Sequence, residues 1–203
     1  MSTSTCIVRI HVPVDSSGNF KRLGTYTDEE CCGHYDLQLC KIQNIGTPTN
    51  YLTYSYPILS YGHMKQSEVA FFEEGRETSV YGSRRVRRYH WSFTANDDDI
   101  RNLLLALGGY LDGNNPKHES DFTGKLVRYN VTRAPYKDYR MQSVNCFKAV
   151  AQWTNSLGKP QLQSIYDAAH ASGESYPARN YYAYRLADQL AASYWQDMGI
   201  KVY

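Results

Sequence analysis

Along residues 1–93 apolar and polar side chains alternate with a period close to two, and from Thr94 onward the period lengthens to that of a helix. Cys6 to Val14 is a β-branched run closed by the turn cluster Asp15-Ser16-Ser17-Gly18-Asn19. Tyr35 to Gln43 alternates, with Leu37, Leu39 and Lys41 on one side, and Asn44-Ile45-Gly46-Thr47-Pro48 ends it. Tyr51 to Ile58 is the next predicted strand. Glu68 to Phe72 and Thr78 to Tyr81 flank Glu73-Glu74-Gly75-Arg76 and predict a hairpin. Arg84 to Phe93 sets Arg85, Arg87, Tyr89, Trp91 and Phe93 on one face and Val86, Arg88, His90 and Ser92 on the other. Arginines at 84, 85, 87 and 88 predict a solvated edge strand, because charge discourages edge-to-edge pairing. A patch for phosphate or an acidic substrate is the sharper alternative.

Thr94 or Asn96 can cap a helix whose first turn carries Asp97, Asp98 and Asp99, favourable to the helix dipole. Ile100, Leu103, Leu104, Leu107 and Leu111 form its apolar stripe. Lys125 to Val131 is a short strand. Ser143 is the predicted cap of a second helix, with Phe147, Val150, Ala151, Thr154 and Leu157 on one side and Gly158 at its end. Pro160 suits the first turn of a third helix to Ala171, and Ala178 to Met198 predicts a fourth. No repeat, low-complexity tract or linker divides the chain. The reading is one α+β domain over 1–203, with a strand-rich half at 1–93 and a helical half at 94–203.

Composition narrows the class. With 22 basic and 20 acidic residues the net charge is +2, which gives no lean toward nucleic acid, and 42% apolar content is too high for a disordered chain. The longest apolar run, Leu103-Leu104-Leu105-Ala106-Leu107, is far short of the roughly 18 residues that span a bilayer. The first ten residues hold no basic segment, apolar core or small-residue cleavage site, so synthesis in the cytoplasm without a Sec signal is expected. Five cysteines, Cys6, Cys31, Cys32, Cys40 and Cys146, are few and odd in number, against a disulfide scaffold. Cys31-Cys32 lacks the spacing of a zinc site, and no metal or cofactor is expected. Nineteen tyrosines suit either the faces of a sheet or a cleft that grips a polar polymer.

The segment richest in chemistry is Ser143-Val144-Asn145-Cys146-Phe147. Capped by Ser143, the helix would carry Cys146 as its third residue, where free backbone N–H groups and the dipole lower a thiol pKa. A thiolate nucleophile also needs an imidazole. His118 and His170 read as surface residues, and His11 as a satisfied strand residue. His34, after Gly33, opens a strand, and His63, after Gly62, follows the next one. A hairpin about Gly46 would bring His34 and His63 to the same end. His90, on the arginine strand, is the remaining competitor.

Gly33-His34 opening a strand, Tyr54-Ser55-Tyr56-Pro57 in its partner, Trp91-Ser92-Phe93-Thr94 before an acidic helix start, and Asn145-Cys146 late in the chain form a recognisable order. It resembles the circularly permuted NlpC-type papain-like families over residues 30–157. The resemblance implies an antiparallel sheet packed against a catalytic helix, with extra C-terminal helices. It matches Cys146 to the nucleophile and His34 to the base, with His63, Tyr56 or Ser60 supplying the group that orients the imidazole and His63 preferred. Asp36 and Gln38 depart from the usual apolar segment, so His34 and His63 remain alternatives as the base. Tyr129 and Asn145 are the implied substrate-binding residues.

Such folds cleave or transfer acyl groups. The implied function is a cysteine-dependent amide hydrolase acting on peptidoglycan stem peptides. Without a Sec signal, it fits an antibacterial effector delivered to the periplasm of a target cell by a machine such as type VI secretion. Its partners would then be the peptidoglycan peptide, an immunity protein and a secretion-machine component, with no nucleic acid and no stable membrane insertion. The alternatives are an acyl hydrolase, protease or deamidase toxin acting on lipid or protein, and a non-catalytic interaction protein.

Overall fold

The computed structural model describes residues 2–39, 57–61, 68–73, 84–108, 127–130 and 145–203. The elements in chain order are strand β1 (Thr3–Pro13), helix α1 (Asp28–Cys31), β2 (His34–Leu39), β3 (Pro57–Tyr61), β4 (Glu68–Glu73), β5 (Arg85–Asn96), helix α2 (Asp97–Gly108), β6 (Val127–Asn130), helices α3 (Cys146–Ser156) and α4 (Gln161–Ala171), a 3-10 turn (Pro177–Tyr181), helix α5 (Ala183–Leu190) and β7 (Gln196–Val202). Among the described residues the strands form one sheet in the order β6-β4-β3-β2-β1-β5-β7, and every neighbouring pair is antiparallel. The architecture is α+β.

β1 lies inside the sheet, with β2 on one side and β5 on the other. Its alternation sorts the two faces. Cys6, Val8, Ile10 and Val12 join Tyr35, Leu37, Leu39, Leu59, Trp91 and Phe93 in the apolar core, which α3 covers through Phe147, Val150, Ala151 and Trp153. Arg9 and His11 lie on the other face, opposite Asp36 and His34 in register. The stretch of that face around Arg9 is buried as well: Arg9 and His11 are each 3% exposed and Asp36 is 0% exposed, while Thr5, Ser92 and Thr94 further along it are exposed. A polar row on a strand ordinarily faces water, so its burial demands internal partners.

Local chemistry accounts for several boundaries. The Asp15 carboxylate accepts from the Ser17 and Asn19 amides at 2.9 Å, and Gly18 takes the left-handed conformation (φ 86°) that closes this turn. Thr27 and Glu30 form a reciprocal capping box on α1. Asn96 Oδ1 accepts from the Asp98 amide at 2.8 Å, making Asn96 the residue that receives the acidic first turn of α2.

Three expectations are corrected. The arginine-bearing strand is not an edge strand, because β7 pairs with β5 from Arg85–Val202 to His90–Gln196. The predicted helix from Ala178 to Met198 is divided into the 3-10 turn, α5 and β7, so a strand closes the half read as helical. The alternating Ile200 and Val202 suit a strand, and Gly199 (φ 75°) lies where the register shifts between Arg87 and Tyr89. The cap of α3 is Asn145; Ser143 lies outside the described residues, as do Cys40, Lys41, Tyr51–Tyr56, His63, Thr78–Tyr81, Leu111 and His118.

Candidate functional site

The Asn-Cys pair occupies the first turn of α3. Asn145 Oδ1 accepts from the Lys148 amide at 3.2 Å, and its Nδ2 donates to the Ala178 carbonyl at 2.9 Å. One buried side chain thus caps the helix and fastens it to the start of the 3-10 turn. Both of its functions are structural, and Asn145 is 0% exposed. Cys146 follows as the first helical residue, two positions earlier in the helix than the Ser143 cap would have made it.

The Cys146 thiol is buried in the core. Backbone N–H groups of Tyr35, Phe147 and Cys146 itself favour its thiolate, as expected of a helix N-terminus. Burial acts the other way and is the largest influence, so the thiol is pushed up to about 12. The expectation of a lowered thiol pKa is therefore corrected. Three backbone donors do not offset the loss of water around a sulfur that is 1% exposed. At neutral pH this cysteine is a thiol.

His34 is the first residue of β2, and Tyr35, the next residue, stacks edge-on against Phe147 of α3 with ring centroids 5.2 Å apart. The amide of Tyr35 acts on the Cys146 sulfur. The Gly-His strand start and the Asn-Cys helix start therefore come together at the Tyr35 peptide, but their side chains lie on opposite faces of the sheet, the Cys146 sulfur toward the core and the His34 ring with His11 and Asp36. The His34 imidazole follows the row that includes His11 and Asp36. Its Nε2 lies 2.6 Å from Ser60 Oγ on β3. Ser60 is the described member of the three candidate orienting groups; His63 and Tyr56 fall outside the described residues. Tyr129 is placed on β6 opposite Val69 of β4, four strands from β1.

Sequence reasoning missed the charged cluster beside this pair. Arg9 donates from Nε and Nη2 to the two oxygens of Asp36 at 2.6 and 2.8 Å, a bidentate pair. His11 Nε2 donates to Asp36 Oδ2 at 3.1 Å, and its Nδ1 lies 3.1 Å from the Tyr203 hydroxyl. With the carboxylate as an acceptor only, the Nε2–H form of His11 leaves Nδ1 to accept from the phenol. Burial raises the Asp36 pKa, but Arg9 and His11 outweigh it and hold the carboxyl far below the usual range. The His11 and His34 rings stand 6.5 Å apart, so the charged cluster adjoins the candidate base. His90, opposite Arg9 on β5, is lowered to about 4 by burial and by the neighbouring Arg9 guanidinium. The available signal was the pairing of Arg9 with Asp36 across two strands that each alternate with apolar residues.

Comparison with known proteins gives no match to a family model, a curated protein or a solved structure.

Proposed function

We propose that this chain is a cysteine-dependent amide hydrolase with a permuted papain-like architecture, in which Cys146 is the nucleophile, His34 the base and Ser60 the group that orients the imidazole. The observation that carries the reading is the meeting of the two starts: the Tyr35 amide, next to His34, acts on the Cys146 sulfur. The 2.6 Å His34–Ser60 contact supports the division of roles, since an imidazole held at one nitrogen presents the other in a fixed direction.

Because the resting thiol is protonated, attack in this reading needs its proton to pass to an imidazole as sulfur bonds to the carbonyl carbon, and His34, which opens β2 on the face away from α3, must swing round the strand start to receive it. Free N–H groups at the start of α3 stabilise the oxyanion. The tetrahedral species expels the amine, which takes the proton from the imidazolium, leaving a thioester. Water then gives a proton to the imidazole and its oxygen attacks the thioester carbon. The carboxylic acid is released and loses its remaining proton to solvent, and the departing sulfur recovers the imidazolium's proton. Peptidoglycan stem peptide is the proposed substrate, and delivery as an antibacterial effector to the periplasm, with an immunity protein in the producing cell, is the proposed setting.

The test is digestion of purified sacculi followed by mass spectrometry of the soluble fragments. Wild type should release cleaved stem peptides, whereas Cys146→Ala and His34→Ala should release none above background. Intact sacculi with the wild-type protein would overturn the reading. A second reading, a non-catalytic interaction protein in which Cys146 is a core residue, is favoured by its burial and by the raised thiol pKa. It predicts intact sacculi and a Cys146→Ala variant with unchanged partner binding.

A further inference from the structure

We propose that the outer edge of β7 is a docking site for an extended segment of a partner protein, which adds antiparallel to the sheet and sets an acidic side chain opposite Lys201 between two apolar ones. The proposal stands apart from the hydrolase reading. Among the described residues β7 ends the sheet, and no strand pairs with its outer side. The Tyr203 amide donates to the Arg84 carbonyl at 3.0 Å, and the register sets Val202 opposite Arg85, Lys201 opposite Val86 and Ile200 opposite Arg87. In an antiparallel ladder the backbone groups of successive residues point to opposite sides. Tyr203 and Lys201 therefore bond inward to β5, and the N–H and C=O groups of Ile200 and Val202 point outward. The bond from the Val14 amide to the Arg85 carbonyl agrees, since it turns the Arg85 backbone toward β1 and away from Val202.

The side chains along this edge are placed to receive a strand. Ile200 is 39% exposed and Val202 is 63% exposed, and both share the face of Arg85 and Arg87, their partners in register. Lys201 lies between them on the other face, with its ammonium 4.6 Å from the centroid of the Tyr203 ring. Gly199, with φ 75°, ends the straight part of the edge, so a visiting strand meets Ile200, Lys201 and Val202. Apolar or β-branched side chains opposite Ile200 and Val202 would cover surface that is now wet.

Charge selects the occupant. Arg84, Arg85, Arg88 and Lys201 lie at this corner of the sheet, and among the described residues none of them has a carboxylate partner. The acid on β7, Asp197, is taken by Arg87 at 3.0 Å. A second copy of the chain is disfavoured. Pairing the segment from Ile200 to Val202 with itself puts the twofold axis at Lys201, and two ammonium groups directly opposite repel. A lysine on an edge strand is a device against such self-pairing. It discriminates by sign, so a strand with an acidic residue at that position turns the same lysine into an attraction.

Fluorescence anisotropy of the whole chain with the labelled peptide acetyl-Thr-Val-Glu-Val-Thr-amide tests the site. This peptide should bind about tenfold more tightly than its Thr-Val-Lys-Val-Thr counterpart, and Lys201→Glu should reverse that preference. N-methylation of both valines removes the donors that would meet the Ile200 and Val202 carbonyls, and should weaken binding by about tenfold or more. Val202→Pro removes an outward N–H that β5 does not use, so it should leave the thermal melt in place while weakening the peptide by about tenfold. Should Val202→Pro fail to fold, the reversal in Lys201→Glu carries the test. Sedimentation of the protein alone should give a monomer. Equal binding of the Glu and Lys peptides, an N-methylated peptide as tight as its parent, a preference unmoved by Lys201→Glu, or a dimer that Val202→Pro dissociates would each overturn the proposal. Displacement of the peptide by a thymidine octanucleotide would make the corner a phosphate patch and overturn it as well.

Discussion

Replacing Asp36 by asparagine should be among the most damaging single changes in the sheet. The carboxylate is fully buried and holds Arg9 through two bonds of 2.6 and 2.8 Å and His11 through a third of 3.1 Å. The substituted amide would keep the volume, but its nitrogen cannot accept, so one of the Arg9 donors or the His11 donor loses its acceptor. The Arg9 charge also stays buried without its counter-charge. Breaking a buried pair from one side costs about 3–5 kcal/mol. The exposed Arg87–Asp197 pair, 36% and 46% exposed, supplies an internal comparison, because Asp197→Asn should cost at most about 1 kcal/mol. Urea unfolding followed by circular dichroism at pH 7 measures both. The sign with pH follows from the depressed carboxyl pKa: its stabilisation is complete above the unfolded value of about 3.9 and is lost as pH falls toward the folded one. The gap between wild type and Asp36→Asn should be constant from pH 5 to 8 and shrink only below about pH 4. A loss under ~1 kcal/mol at pH 7, or a gap that closes between pH 6 and 8, would refute the reasoning. A double replacement, Arg9→Met with Asp36→Leu, should cost less than Asp36→Asn, since it leaves no buried charge without its partner.

Alkylation of native protein by iodoacetamide should find Cys146 slow at pH 7.5, with a rate that climbs through pH 10 as a thiol raised to about 12 begins to ionise; a midpoint at or below 8.5 contradicts the burial argument. Asn145→Ala removes both the cap and the tether to Ala178 and should cost about 1–3 kcal/mol in a thermal or urea melt, whereas no change would show the cap to be dispensable. The His90 ring should titrate near 4 by NMR, and because the unfolded chain binds the proton first, its contribution to stability falls as pH drops from about 6.5 toward 4; a midpoint above 6 rules this out.

Period and turn chemistry are enough to read β1, the start of β2, the arginine-bearing strand, the acidic start of α2 and the helix after Pro160, because each depends on neighbours within a few residues. The errors involve distant partners. Ser143 and Asn145 are equally good caps by composition, and the choice depends on Asn145 reaching the Ala178 carbonyl. Four arginines suggest an edge because nothing local predicts that Gln196–Val202 pairs outside them. His34 is legible as a strand-opening histidine, and Ser60 only as one of three polar neighbours. The helix N-terminus at Cys146 is legible, but its pKa is not, since the sign depends on how completely the sheet covers the sulfur.

The placement of β1 between β2 and β5 governs the order in which this sheet can assemble. The pairing of His11 with His34 closes a short loop, whereas that of Pro13 with Val86 and of Thr3 with Asn96 spans most of the first half of the chain. Loop-closure entropy makes the nearer pairing the earlier event, so β1–β2, locked by Arg9 and Asp36, forms before β5 arrives. Contacts made early alter the folding rate, and contacts made late alter the unfolding rate. Damage at Asp36 should therefore slow refolding, while damage at the β5–β7 margin should shorten the lifetime of the native state and leave refolding almost untouched.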